Sequence, residues 1–489
     1  MDADTQPDTA SSNPVRAFGR WLAEAPHQWP PEAIELAHRE LIDIVAVMVP
    51  GAREPAARIV FETVRDWGAG DGHVVGRRQR LAAPWAALVN GTAAHALDFD
   101  DNFDPAKAHI SSVLGPAIFA LGEHEDLSGA DCIDAYIAGV QITGRTGQGV
   151  NPYHRLRGWH ATATLGAIGA TAACARLLRL DADAAARALS IATSLAAGFM
   201  AQFGTMTKPM HAGLAAKAGI MAASLARNGL TAGMGAFDGR TGMNRLMVGP
   251  DYEQLRDTLT DPPHGQNLRF KTEAVGEPLL IVEHGFRVKR FPNCGSNHRA
   301  MDALLYLRRK HGFGADQVER IDVYAPQMHF NNTMYQRPQT GLQAKFSIEH
   351  ALALCLTTER IGPADFSDAR VADPAVRALY ERIHRHPDER LENLCPNRVE
   401  VRLRDGRLLS ETRWMPEGSK PRPFPTSQYW EKFAACAEGI LGASEAAALR
   451  APLERLPALA SIRELTSRLA FGPTPMAADA GSRVAERVR

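Results

Sequence analysis

Residues 161–178 read ATATLGAIGATAACARLL, and residues 209–228 read PMHAGLAAKAGIMAASLARN. Each stretch is long enough for several helical turns, and both are rich in alanine and glycine. Because small side chains let two helix axes approach closely, this composition favours tightly packed helices. The two stretches therefore predict a compact helical bundle.

The helical pattern extends outward from these stretches over the first half of the chain. Residues 31–229 read as one helix after another, starting with Pro31 at a first helical position. Asp181 precedes a helix predicted for residues 184–203, where its carboxylate can accept hydrogen bonds from first-turn amides. We assign residues 16–275 to one helical domain and expect a disordered polar tail at residues 1–15.

The pattern changes around residues 249–278, where Pro-Pro, His-Gly and Gly-Glu-Pro sequences indicate loops. Beyond them, helical and strand-like segments alternate, which predicts a smaller α/β lid domain at residues 276–420 and a mainly α fold overall. Residues 421–470 are expected to be helices that rejoin the helical domain, followed by a flexible tail at 471–489. The predicted lid elements are strand 318–324, hairpin 398–413, and helices 300–310 and 345–358.

Composition and charge exclude several classes of protein. The chain has 489 residues, of which 45% are hydrophobic and 22% charged, as in ordinary globular proteins. Fifty-five basic residues balance fifty-five acidic ones, so nucleic acid is not an expected partner. No apolar stretch reaches the roughly 20 residues that span a bilayer, and the amino terminus lacks a secretory pattern. We expect a cytoplasmic protein with no membrane segment.

Titratable residues cluster after one predicted helix. His95, Asp98 and Asp101 are spaced by three residues, which predicts that they share one helical face. Carboxylates near a helix C-terminus oppose the helix dipole, a cost that a purely structural sequence has little reason to accept. Solvated loop carboxylates are the alternative interpretation. His109 follows eleven residues after Asp98, close enough to return to the same pocket.

Other candidates stand at helix starts. His160 precedes the helix at residue 161, where the positive helix end favours a neutral imidazole that can accept a proton. Lys208 precedes Pro209, predicted as the first helical residue, so its ammonium group lies beside free amides and suits an anion. Cys294 and His298 flank a further helix start. Packing roles are the alternative for the histidines and the cysteine.

Five ordered segments resemble the MmgE/PrpD family. They read NGTAAHALDFDD at 90–101, GWH at 158–160, GTMTKPMHAG at 204–213, KRFPNC at 289–294 and KFSI at 345–348. The resemblance covers roughly residues 16–450. It implies a large helical domain with a smaller α/β lid, a homodimer, and a pocket between the domains that uses no metal and no cofactor.

The resemblance also implies chemistry on small di- or tricarboxylates. By similarity to decarboxylases of the family, we expect Asp98, His109, His160 and Lys208 to be catalytic. Cys294 stands where those enzymes have histidine, Asn102 where they have threonine, and Phe330 aligns with a tyrosine, so an imidazole and a phenol that could donate protons are replaced. The residues expected to bind substrate are Lys208, His211, Asn102, Cys294, His298 and Lys289.

The leading hypothesis is therefore a lyase of the dehydratase or decarboxylase type. Lys208 and helix amides would bind carboxylates, while His160 or His109 moves a proton and Asp98 orients a histidine or shares its proton. An epimerase or isomerase of a dicarboxylate is one alternative. A non-catalytic small-molecule-binding or scaffold protein is the other, although titratable groups at four motif positions argue against it.

Overall fold

The computed structural model describes residues 13–260, 262–388, 390 and 396–472. The first half is helical, as the sequence predicts. Its elements are α1 Pro14–Glu24, α2 Pro31–Gly51, α3 Pro55–Val64, β1 Ala69–Gly72, α4 Ala83–Ala96, α5 Ser111–His124, α6 Gly129–Val150, α7 Tyr153–Leu156, α8 Ala161–Leu177, α9 Ala182–Thr193, α10 Thr207–Arg227, α11 Met243–Val248, α12 Tyr252–Thr258 and α13 Leu280–Glu283.

The helices α4, α8 and α10 form the centre of this bundle, with α10 packed against the other two. A Cβ atom added to Gly213 of α10 would lie 2.0 Å from the carbonyl oxygen of Leu88 in α4. Only a residue without a side chain permits this approach. The close packing predicted from the Ala/Gly-rich stretches is confirmed, and it brings the end of α4 to the start of α10.

The second half of the chain has its own hydrophobic core and a four-stranded mixed sheet. The strand order is β3-β2-β4-β5, with β2 parallel to β3 and antiparallel to β4, and with β4 antiparallel to β5. Its elements are α14 Gly295–His311, β2 Val318–Ala325, α15 Gln327–Asn332, α16 Gly341–Ala344, α17 Ile348–Thr357, α18 Asp368–Ala372, α19 Pro374–Arg377, β3 Ile383–Pro387, β4 Asn397–Leu403 and β5 Leu408–Arg413.

The chain then returns to the helical domain. The helices α20 Thr426–Leu441, α21 Ala443–Glu454 and α22 Arg463–Thr466 follow the sheet. Phe433 of α20 and Leu449 of α21 are buried in the same core as α2, against which α20 packs. No helix in the part of the chain that the structure describes is both long and apolar enough to cross a membrane.

Several predicted boundaries are wrong. The helix α1 begins at Pro14, inside the tail predicted for residues 1–15. At the other end, Phe471 packs against the helical core, although the flexible tail was predicted to begin there. Residues 1–12 and 473–489 of the two predicted tails lie outside the described residues. The helix predicted for 184–203 ends at Thr193, although Asp181 caps its first turn as expected. The helix α10 begins at Thr207, so Pro209 is its third residue, and α17 begins at Ile348 rather than 345.

The predicted helical face of His95, Asp98 and Asp101 does not form. The helix α4 ends at Ala96, and Asp98 takes a left-handed φ of 52°. This conformation costs free energy for a residue other than glycine and breaks the helical spacing. The three side chains are instead presented by an irregular loop after α4.

Candidate active site

Lysines from the second half of the chain hold the loop after α4. Lys345 donates to the carbonyl of Ala96 at 2.9 Å, and Lys289 donates to the carbonyl of Asp98 at 2.9 Å. Lys432 of α20 donates to the carbonyl of Phe99 at 2.8 Å. Buried backbone carbonyls require a hydrogen-bond partner, and these three ammonium groups supply it. The loop conformation therefore depends on contacts that form only when the first and second halves of the chain have folded together.

Asp98 lies at the centre of the site between two ammonium groups. Its Oδ1 atom accepts from Lys208 at 2.7 Å and from Lys289 at 2.9 Å. Burial alone would raise the pKa of Asp98, but Lys208 and Lys289 outweigh burial and hold that pKa well below its usual range. In the structure, Asp98 thus pairs with lysines, whereas the sequence predicted that it orients a histidine.

The histidine held by a carboxylate is His95. Its Nδ1 atom lies 2.7 Å from Asp100 Oδ2, and both side chains are buried. Burial opposes ionisation of Asp100, but His95, His109 and Lys289 outweigh it and lower the pKa of Asp100. Because an ionised carboxylate only accepts, His95 donates through Nδ1 and keeps Nε2 as an acceptor. That Nε2 atom is buried and has no hydrogen-bond partner among the described residues.

His109 and His160 lie beside His95. Their rings are centred 4.8 Å and 6.0 Å from the His95 ring. His109 donates through Nδ1 to the carbonyl of Asp101 at 2.6 Å. His160 caps α8, and its Nδ1 lies 3.0 Å from Nδ1 of His211. The Nε2 atom of His160 is buried without a partner within the described chain.

The surroundings of these histidines favour their neutral forms. Burial and the nearby Lys208 lower the pKa of His160 well below its usual range, and burial with Lys289 does the same for His109. Burial, then His95 and Lys208, lower the pKa of His211 to about 4. Neutral imidazoles at neutral pH are ready to accept protons.

Aromatic rings close the site around Lys208. The Nζ atom of Lys208 lies 5.5 Å from the ring centre of Phe203 and 5.0 Å from that of Phe346. The Phe203 ring also meets His160 edge-on at 5.0 Å. These rings exclude water, which strengthens each charge interaction inside the site.

Asp101, whose backbone carbonyl accepts from His109, has a raised pKa. Burial and the neighbouring Asp100 raise the pKa of Asp101 to about 8. Its Oδ1 accepts the backbone N–H of Ser111 at 3.2 Å. Burial and Asp101 also raise the pKa of Glu40 well above its usual range. The raised pKa values favour the neutral forms of this pair, which leaves less negative charge to oppose an anionic ligand.

Of the remaining predicted binding residues, Cys294 and His298 lie in the second domain, and Asn102 lies in the loop after α4. Cys294 caps α14 and donates its backbone N–H to the Lys345 carbonyl at 3.0 Å. His298 is buried in the first turns of α14, and burial followed by Lys289 and Arg287 lowers its pKa to about 3. Asn102 pairs through its backbone with Arg287 at 3.0 and 2.9 Å. Phe330, in contrast, is buried in the lid core.

One group of side chains has the donor atoms of a metal site. Ligand atoms of His95, Asp98, Asp100 and His109 lie within 4.8 Å of one another. Lys208 and Lys289 already neutralise Asp98, and their charge opposes a second cation. The expectation of a metal-free site stays a prediction.

The sequence missed several residues of this cluster. Lys345 appeared only as part of a motif, and Asp100 was not singled out, although Asp100 fixes His95. Asp100 lies five residues after His95, a spacing that matches neither the helical nor the strand period. Phe203 and Phe346 had no sequence signal beyond hydrophobicity. For Lys345 and Phe346, the indication that the sequence offered was their adjacent position in the KFSI motif at residues 345–348.

The fold and site together define a two-domain protein with a buried lysine–aspartate–histidine cluster at the contact between its domains. Residues 16–255 match the MmgE/PrpD N-terminal domain, and residues 291–456 match the MmgE/PrpD C-terminal domain. The chain belongs to the MmgE/PrpD family, which confirms the resemblance seen in its motifs.

Similar proteins include two cis-aconitate decarboxylases. That of Aspergillus terreus (strain NIH 2624 / FGSC A1156) is 27% identical over 493 residues, which cover 95% of this chain and 98% of the relative. That of Homo sapiens is 28% identical over 409 residues, which cover 81% of each chain. The similarity therefore extends across both domains.

Proposed function

We propose that this protein is a lyase that acts on a small di- or tricarboxylate by proton transfer next to a carboxylate, in the manner of a decarboxylase or dehydratase. The observation that carries the proposal is the lysine-bound Asp98 beside neutral histidines, with His95 Nε2 and His160 Nε2 left as buried acceptors. The family and the cis-aconitate decarboxylases that the chain resembles support the same reaction class.

Substrate carboxylates bind against the lysines. Lys208 and Lys289 bind Asp98, Lys289 also lies 3.8 Å from Asp100, and Lys345 is held at the Ala96 carbonyl of the same loop, so three lysines stand against two carboxylates here. The start of α8 at His160 and the start of α10 at Lys208 add positive potential. An anionic substrate restores neutrality in this buried site.

The histidines move the proton. In a dehydration, His160 or His109 takes the proton next to the carboxylate, hydroxide leaves with the C–O electron pair, and the same histidine returns its proton to the hydroxide, which departs as water. In a decarboxylation, the C–C bond breaks, carbon dioxide leaves, and the electron pair left on carbon takes a proton. For the decarboxylation, a bound carboxylate raises the pKa of a neighbouring imidazole, which favours the protonated histidine that this reaction needs as donor.

Epimerisation of a dicarboxylate is the second candidate reaction. A proton removed from one face by His160 and returned to the other face by a second group inverts the carbon. The His109 and His160 rings both lie beside His95, at ring-centre distances of 4.8 Å and 6.0 Å, so two histidines are available. A non-catalytic scaffold or binding protein would not need these histidine nitrogens as proton acceptors.

The test is turnover by the full-length protein in deuterated buffer, followed by proton NMR. The panel contains cis-aconitate, 2-methylcitrate, iminodisuccinate and related carboxylates. We expect a product or deuterium exchange from at least one of them, and about a 100-fold or greater loss in Lys208→Met because a charged contact to the reacting substrate is removed. Lys217→Met, on the same helix over the Trp85 ring, is the control. Full activity in Lys208→Met would remove Lys208 from the mechanism.

We also propose that the protein acts as a homodimer. A groove of about 1820 Å³ runs beside α9 and α11, and its lining includes Trp159, Leu230 and Leu246. Leu246 is 68% exposed, and Leu230 and Phe199 are also exposed. Contiguous exposed apolar side chains are typical of subunit contacts. A cytoplasmic location stays a prediction of the sequence.

A further inference from the structure

A small cavity beside α6 is lined by basic side chains and by no residue of the candidate active site. Its volume is about 300 Å³, which is the size of a small-molecule pocket, and it lies between α6 and the loop that follows α12. Three of its lining residues, Arg145, Arg269 and Lys271, are basic, and none of its described lining residues is acidic. A concave surface with one sign of charge attracts ligands of the opposite sign.

Arg145 places a positive charge in the wall of this cavity without a counter-charge. The residue is 3% exposed, and it donates to the carbonyls of Val275, Glu277 and Pro278 and to the side-chain oxygen of Gln148 at 2.7 to 3.0 Å. All of these acceptors are uncharged. Burial lowers the pKa of Arg145 to about 10, and no carboxylate of the described chain acts against burial. Because buried charges in proteins are usually paired, this guanidinium group lacks its usual partner.

Lys271 adds a second positive charge beside Arg145. It is half-buried, and its Nζ atom donates to the carbonyl of Glu277. Burial lowers the pKa of Lys271, and the charge of Arg145 lowers it further, against the opposing effect of the exposed Glu277 carboxylate. Lys271 forms no ion pair within the described chain. Since an ammonium group has three N–H donors, two remain after the Glu277 contact.

The other side chains of the lining leave these two charges in place. Gln148 accepts from Arg145 through Oε1 at 3.0 Å and donates through Nε2 to the carbonyl of His264 at 2.8 Å, so it holds the guanidinium group without cancelling its charge. Arg269 pairs with Asp257 at 3.2 Å, and its own charge is therefore already balanced. The uncompensated charge of the wall is that of Arg145 and Lys271.

We propose that this pocket binds a small dianion of the phosphate class, either free phosphate or a phosphate monoester. Its charge matches the two cations that form no ion pair, whereas a monocarboxylate matches only one of them. Because Arg145 and Lys271 act on each other, the matching charge belongs on one group rather than on two separate carboxylates. Phosphate oxygens can accept from Lys271 and from the second N–H of Arg145 Nη1, whose first N–H goes to Gln148.

The pocket borders the loop that leads to His109. Gln266 lies between two lining residues and donates through Nε2 to the carbonyls of Asp104 and Pro105 at 2.9 and 3.2 Å. A bound anion therefore contacts the segment that anchors this loop. The binding site itself is independent of the proposed lyase activity.

The experiment titrates the full-length protein with inorganic phosphate and, separately, with glycerol phosphate at about pH 8, where phosphate is mainly a dianion. Phosphorus NMR line widths measure the bound fraction, and we expect saturable binding of at least one of the two. Lys271→Gln should weaken this binding by about 10-fold or more, because a charged hydrogen bond is lost. Asn267→Asp adds a carboxylate to the lining, keeps the oxygen that accepts from the Arg269 N–H, and should weaken binding at least as much.

The matched control is Lys420→Gln. Lys420 also donates to a loop carbonyl, that of Glu283 at 2.6 Å, but it does not line the pocket, so this variant should bind phosphate like the wild type. Lys208→Met tests the candidate active site as the place of binding and should also keep the wild-type affinity.

Three results would overturn the proposal. The first is a wild-type protein that shows no saturable binding of either phosphate compound. The second is wild-type affinity in a folded pocket variant, and if Lys271→Gln does not fold, Asn267→Asp decides. The third is a loss of affinity in Lys208→Met without a loss in the pocket variants, which would place the anion in the candidate active site.

Discussion

Asp98 and Asp101 are three residues apart, yet their carboxyl groups titrate in opposite directions. Both are buried, which disfavours their charged forms. Two ammonium groups reach Asp98 and lower its pKa, whereas Asp101 faces the negative charge of Asp100 and its pKa rises to about 8. The position of neighbouring charges, rather than residue type or burial, decides which acid is ionised in this site.

Asp101 makes the stability of the protein depend on pH. In the unfolded chain its proton leaves near the ordinary value of 3.8, whereas in the folded protein it stays until about pH 8. This contribution to the free energy of unfolding is therefore greatest below pH 4 and declines as pH rises to 8, by up to about 1.4 kcal/mol per pH unit. Asp101→Asn should show a shallower decline in urea unfolding at pH 5, 6, 7 and 8.

The control for this measurement is Asp66→Asn, since the Asp66 side chain is 80% exposed. This substitution should leave the pH dependence as in the wild type. Parallel stability curves for the wild type and Asp101→Asn would mean that Asp101 is ionised in the folded protein.

Among the secondary-structure elements, the pair α4 and α10 sets the geometry of the site. The helix α4 leads into the loop of Asp98, and α10 begins beside Lys208, so the contact at Gly91 and Gly213 fixes how near the two charges come. A Cβ atom on Gly91 would lie 2.7 Å from the Cα atom of Gly213. Any side chain at this crossing separates the helices.

We expect Gly213→Ala to destabilise the protein by about 1–3 kcal/mol, because the added methyl group overlaps the Leu88 carbonyl. The shift of α10 should also lower turnover by moving Lys208 away from Asp98. Thermal unfolding and the turnover assay measure the two effects. Gly439→Ala in α20 is the control: no atom lies within 4 Å of the new methyl group, so its stability should stay equal or rise. Equal unfolding temperatures for Gly213→Ala and the wild type would contradict the close contact.

At the level of the whole molecule, the groove beside α9 and α11 leaves the side chains of Leu246 and Leu230 exposed. Leu246→Glu places a charge on this surface and should convert a dimer into a monomer, since an unpaired charge is costly in a buried contact. Light scattering after size exclusion measures the change from twice the chain mass to the chain mass. Ile59→Glu alters an exposed residue of α3 that does not line the groove and should leave the dimer intact. A wild-type monomer would refute the proposed assembly.

The sequence by itself determined the helical class of the first half and the strands β2, β4 and β5 of the second, but it did not predict β3. Helix packing could be predicted because the Ala/Gly content of α8 and α10 is local, and the hairpin of β4 and β5 because it turns at Asp405-Gly406. Such features depend on residues a few positions apart. The motif residues His109, His160 and Lys208 could likewise be chosen from their places near helix starts and loops.

Only the tertiary structure decided how those residues are used. Lys208 and Lys289 are 110 and 191 positions from Asp98, and the contacts of Lys345 and Lys432 with the same loop span longer separations still. No local pattern encodes such pairs, because they exist only after both domains fold together. The charge on each carboxyl group depends on these distances and on burial, so the direction of each pKa was fixed by tertiary contacts rather than by sequence spacing.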